Sequence, residues 1–165
     1  MIRFRSLKKQ SAGFTVIELA VVAVVLGILL TLVALTYNGV QAKNRNNQRQ
    51  SNINTLQTQL ETYYAASANG EYPTLAQLND PSWRAKNLPK LTTDIISDPR
   101  WSVKTNCTAD KQPILSVTPA VDCYAYQVTD AGGDACNDTT EPCAHYTLTA
   151  TLEGGQLTYV KSSLN

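Results

Sequence analysis

Apolar and polar positions fall into three regimes along the 165 residues of this chain. From Leu19 to Tyr37 nineteen consecutive residues carry no charge. Extended back to Phe14, the segment makes a helix of roughly 36 Å, enough to cross a hydrocarbon layer of about 30 Å. A second regime follows, in which Ile53, Leu56, Leu60 and Tyr63 or Tyr64 recur at helical spacing amid Asn, Gln and Thr. The two regimes predict one helix from about Thr15 to Ser67, stopped at Asn69-Gly70. Its second half carries an apolar stripe for packing, with Glu61 on the opposite side; its first half is left for membrane or neighbours.

Beyond Gly70 the pattern changes again. Tyr72-Pro73-Thr74 reads as a turn, and Leu75 with Leu78 as a short helix capped by Thr74. Residues 81–112 hold Pro81, Pro89, Pro99 and both tryptophans, and predict an irregular surface loop with Trp83 or Trp101 covering a sheet. The remainder alternates with period two: strands at 114–118, 122–129 and 144–152, then a turn at Glu153-Gly154-Gly155 into 156–161. The predicted fold class is α+β. A long N-terminal helix, apolar in its first half, packs by its second half on a small antiparallel sheet of three or four strands.

Charged residues make up 16% of the chain and hydrophobic ones 43%, yet mean hydropathy is only −0.20. The apolar residues are therefore concentrated, which excludes a disordered chain, a collagen and a polytopic membrane protein. The near-neutral net charge conceals an asymmetry. Residues 1–13 carry Arg3, Arg5, Lys8 and Lys9 without an acid; the rest carries ten Lys and Arg against thirteen Asp and Glu, net −3. A basic segment before an apolar one reads as an export signal. Cleavage after Val40-Gln41-Ala42 and a permanent single-span anchor are the two simple versions. Glu18 bears on the choice: a carboxylate in a bilayer helix is costly at the centre and less so toward the interface, so it either snorkels to the headgroups or awaits a positive partner within the membrane. The nearby cations are the basic leader and, after cleavage at Gly13, a new α-amino group on Phe14.

The run Lys8-Lys9-Gln10-Ser11-Ala12-Gly13-Phe14-Thr15-Val16-Ile17-Glu18 resembles the processing site of type IV prepilins and pseudopilins. The resemblance implies cleavage after Gly13 by a prepilin peptidase and N-methylation of Phe14. It also implies that Glu18 pairs with the N-terminal amine of a neighbouring subunit and sets the filament's register. On this reading residues 1–13 are the leader and 14–37 the membrane and filament-core helix. Residues 38–68 are its amphipathic continuation, 69–112 a connecting loop region and 113–165 the sheet-bearing head. The implied partners are further copies of the chain in a helical filament, the peptidase, the inner-membrane pilus assembly platform and the membrane itself before assembly. The implied location is the cytoplasmic membrane first and a cell-surface filament afterwards. Pilus subunit and minor pseudopilin of a type II secretion or DNA-uptake system both stay open, with a DNA-binding pilin or a membrane-tethered binding module as weaker alternatives. One departure is the lack of any proline between Phe14 and Tyr72, so a proline-driven kink is not expected.

Other chemistry is sparse. Cys107, Cys123, Cys136 and Cys143 all follow the apolar segment, and an even count in an exported chain favours disulfides. Of three connectivities, Cys107–Cys123 with Cys136–Cys143 closes the most local loops. No cofactor is expected, although Asp130, Asp134 and Asp138 in a Gly-containing loop are weak Ca²⁺ candidates. His145 is the sole histidine, and no nucleophile elbow, phosphate loop or HExxH run is present, so no enzyme is expected. From Gly70 onward seven Lys and Arg face eleven Asp and Glu, which argues against nucleic acid as a partner. Lys43, Arg45 and Arg49 read as a solvated helix face.

Overall fold

A computed structural model describes residues 13–136, 142–155 and 157–165. It divides into two units, one up to Val40 and one from Gln41 onward, and its class is the predicted α+β. The helix α1 runs unbroken over Val16–Ala66, 51 residues, and so contributes to both units. Within the first unit every residue from Phe14 to Val33 is exposed. Val16–Val33 is long and apolar enough to cross a membrane, with a mean hydropathy of 2.9 and none of it buried.

In the second unit α1 presents Ile53, Leu56 and Leu60, all fully buried, to a core shared with a three-stranded antiparallel sheet. The strands are β3 (Tyr124–Thr129), β4 (His145–Thr151) and β5 (Thr158–Ser162), in that spatial order. Their registers place Tyr126 opposite Leu148 and Leu148 opposite Lys161. Period-two alternation sends Tyr124, Tyr126, Val128, Tyr146, Leu148 and Ala150 into the core. Deleting a buried leucine side chain from such a core costs about 2–5 kcal/mol.

Between helix and sheet, the structure is more ordered than the proline content predicted. The short helix α2 (Leu75–Asn79) has a complete capping box, in which Thr74 and Gln77 each accept from the other's backbone N–H. The stretch 81–112 is not one irregular loop: it holds α3 (Pro81–Asn87), α4 (Thr93–Ile96) and the tiny ribbon β1–β2 (Thr108–Ala109, Gln112–Pro113). Pro81 stands at the start of α3, where its missing N–H costs nothing, and Asp80 accepts from Ser82 N–H at 2.8 Å. Trp83 packs at 5.4 Å on Tyr63 of α1, against the core that helix and sheet share, and the Trp101 indole N–H donates to the Cys107 carbonyl and to Thr108 Oγ1. Buried Arg84 donates to the Leu78 carbonyl that ends α2. Residues 114–118 form no strand either. Ser116 makes a single parallel bridge to Ala125, and its Oγ then accepts Thr118 N–H at 3.2 Å, a local turn that competes with the ladder. Cys107 is joined to Cys123 and Cys136 to Cys143.

Two polar groups on α1 are placed otherwise than periodicity suggested. Glu61 is half-buried and accepts from the hydroxyls of Tyr72 (2.9 Å) and Tyr146 (2.7 Å) and from Leu164 N–H (3.3 Å). Burial and this carboxylate together push both phenols well above their ordinary range. Arg49 is not solvated at all. It lies one turn before Ile53 on the apolar stripe with its side chain fully buried. Its guanidinium donates to both oxygens of Asp98 (2.7 and 2.9 Å) and to Glu153 (2.8 Å). Burial disfavours its charge, but the bonds to the two carboxylates outweigh that and raise its pKa. One turn earlier, Arg45 donates twice to Glu153 at 2.7 and 2.6 Å. Between them, the Asn46 amide exchanges hydrogen bonds with the Glu153 backbone, accepting from its N–H at 2.9 Å and donating to its carbonyl at 3.0 Å. The β4–β5 turn is thus strapped to α1.

This strap carries a pH dependence. Hydrogen bonds from Arg45, and then from Arg49, lower the Glu153 pKa from 4.5 to about 2. A depressed carboxylate stabilises the fold above its unfolded pKa, and that stability is lost as pH falls through the folded value. Acid titration should therefore reveal a loss between about pH 4.5 and 2 of at most about 3 kcal/mol, reduced because Arg45 is partly exposed. Glu153→Gln should flatten the profile in that window; an unchanged profile would remove Glu153 as its source.

Candidate assembly site at the N-terminus

The segment Gly13–Glu18 combines a small residue, an exposed aromatic and the single acid of the apolar half of α1. A Cβ built on Gly13 would meet nothing within 4 Å. The fold itself therefore leaves room for a side chain there. Phe14 is 81% exposed, far more than an aromatic packed on its own chain.

Glu18 is held by Thr15, and the pair makes a second capping box. Thr15 is the residue before the first helical position, Val16, and Glu18 is the third helical residue. The Glu18 carboxylate accepts from Thr15 N–H at 3.0 Å and from Thr15 Oγ1 at 2.9 Å, while Glu18 N–H donates back to Thr15 Oγ1 at 3.2 Å. This satisfies backbone donors that a helix start leaves open and sets a negative charge at the positive end of the helix dipole. The Thr-x-x-Glu spacing was visible in the sequence, and it was Thr15 that reading by residue type passed over. The carboxylate therefore sits on the first turn of α1, oriented by a neighbour three residues away and exposed. From Leu19 the apolar surface begins at once and continues as exposed side chains to Val33.

The remaining sequence candidates are not gathered into a site. Asp130 accepts from Gly132 N–H (2.8 Å) and Asp134 N–H (3.0 Å), which commits its carboxylate to shaping the turn. Asp138 and the leader residues 1–12 lie outside the described residues. Among the described residues no three His, Cys, Asp or Glu side chains converge as a metal site. His145 is exposed on β4.

The comparisons with known proteins bear on the N-terminal segment alone. Residues 8–34 match the family model described as the prokaryotic N-terminal methylation motif. No curated protein and no solved structure matches the chain. A motif of this kind indicates a structural protein. Over residues 8–34 the chain carries the class III signal of type IV pilins and pseudopilins.

Proposed function

We propose that the chain is a structural subunit of a type IV pilus or pilus-like filament, cut after Gly13 and methylated on Phe14. The single observation that carries this reading is the junction of motif and surface. The methylation motif opens directly onto a helix whose apolar residues are exposed from Val16 to Val33. Such a surface is stable in a bilayer before assembly and against copies of itself afterwards. Removing the leader takes away four of the cationic charges that hold the N-terminus at the cytoplasmic face. It also creates the α-amine whose charge complements Glu18. An ammonium and a carboxylate inside an apolar bundle attract strongly, yet each is costly to bury alone, so the pair penalises misregistered subunits. Identical head-to-tail contacts that do not close give a fibre. The exposed Phe14 fits the same reading, as a residue kept for a neighbour.

Filaments sheared from the cell surface test this. The processed chain should be present in the sheared fraction and disappear from it when the host's prepilin peptidase is inactive. A chain found wholly in the membrane fraction, with or without the peptidase, would contradict the proposal.

A further inference from the structure

The chain has two Asn-Gly pairs, Asn38-Gly39 and Asn69-Gly70. Glycine after asparagine gives a backbone nitrogen its least hindered approach to the preceding side-chain amide, because no Cβ screens it. The two pairs lie in different backbones. Gly39 is inside α1, where its N–H belongs to the helical ladder and the chain is not free to fold back on itself. Asn69 is exposed in the turn beyond Ala66. There the Gly70 N–H is held by one long bond, 3.3 Å to the Ser67 carbonyl, and Gly70 adopts φ +60°. The chain is fixed again only at buried Tyr72, whose N–H donates to the Cys143 carbonyl at 2.9 Å.

We propose that Asn69 is a site of spontaneous deamidation, and that the fold directs the reaction there and away from Asn38. The Gly70 backbone nitrogen attacks Asn69 Cγ and gives up its proton to solvent. The new N–Cγ bond closes a succinimide as the Cγ–Nδ2 bond breaks, and ammonia leaves with a proton taken back from solvent. Water then opens the ring, giving aspartate if it cuts the new N–Cγ bond and isoaspartate if it cuts the bond from Gly70 N to the Asn69 main-chain carbonyl. One water is consumed, one ammonia is released, and nothing is oxidised or reduced. The product adds a carboxylate two residues before Glu71. Isoaspartate also lengthens the main chain in the short span before Tyr72, whose ring stacks at 4.6 Å on Tyr64 and whose hydroxyl donates to Glu61. Ageing at Asn69 therefore acts directly on the joint between α1 and the sheet-bearing part of the second unit.

Peptide mapping of the full chain, aged in detergent at mildly alkaline pH, provides the test. The amide-to-acid mass gain should appear at Asn69, split between two isomers, roughly tenfold or more ahead of Asn38, since only a fraying turn opens cheaply. In concentrated urea the two pairs should convert at similar rates, and Asn69→Gln should remove the fast conversion from the folded chain. Conversion at Asn69 no faster than at Asn38 in the folded chain would overturn the proposal. So would a preference for Asn69 that persists unchanged in urea, because the fold would then not be its cause.

Discussion

Glu18→Val is expected to leave the subunit cleaved and membrane-inserted while lowering its recovery in sheared filaments by at least about tenfold, the equivalent of about 1.4 kcal/mol per subunit contact. That figure is modest beside the roughly 3–5 kcal/mol by which breaking one partner of a buried ion pair destabilises folded proteins. In the free chain Glu18 does only local work, accepting from Thr15 N–H and Oγ1. Losing that cap costs about 1 kcal/mol at the start of a helix of 51 residues, which leaves the helix intact. Valine also makes the segment more apolar, so insertion should not suffer. Glu18→Gln separates the two roles. Its amide oxygen can still accept from Thr15, but it carries no charge for the neighbour's amine. If the pairing matters, Gln should assemble as poorly as Val; if capping matters, Gln should assemble like the parent. Parental recovery of both variants in filaments would remove the register role from Glu18.

Arg49→Ala should destabilise the second unit by about 3–5 kcal/mol, a large share of the 5–15 kcal/mol by which domains are ordinarily stable. The cost comes less from lost attraction than from what remains. The Asp98 side chain is 1% exposed and, among the described residues, would be left with the Arg100 N–H at 2.8 Å as its donor. Glu153 would retain Arg45 at 2.6 Å and the more distant Arg100 at 3.9 Å. Urea unfolding of the full chain in detergent, followed by the fluorescence of Trp83 and Trp101, reads the change directly. The double variant Arg49→Met with Asp98→Leu should recover much of the loss, because both buried charges go together and well-packed apolar groups replace them. A single variant as stable as the parent would show that the strap contributes nothing net.

The sequence made some of these features legible and hid others, for physical reasons. The long helix was readable because an uncharged apolar run leads into apolar residues spaced three or four apart, and the strands β3 and β4 because Tyr, Val and Leu alternate with polar residues. The assembly motif was readable because Gly13, Phe14 and Glu18 are chemically conspicuous beside an apolar run. Arg49 was hidden by residue type. Its spacing to Ile53 and Leu56 put it on the apolar stripe, but an arginine is assigned to water unless its partners are known. Those partners, Asp98 and Glu153, lie 49 and 104 residues further along the chain. The helix α3 was hidden by Pro81, since a proline ends a helix in its interior but favours its first turn, and α4 by its length of four residues. The turn at Ser116 could not be separated from a strand, since a hydroxyl that bends the chain leaves the alternation of Ile114–Thr118 intact.

The N-terminus of the mature protein bears most directly on the central claim. Intact-mass and N-terminal fragment spectra of the chain purified from its host should show a start at Phe14 with a methyl group on its nitrogen. A start at Lys43, or a chain that keeps Met1, would contradict it.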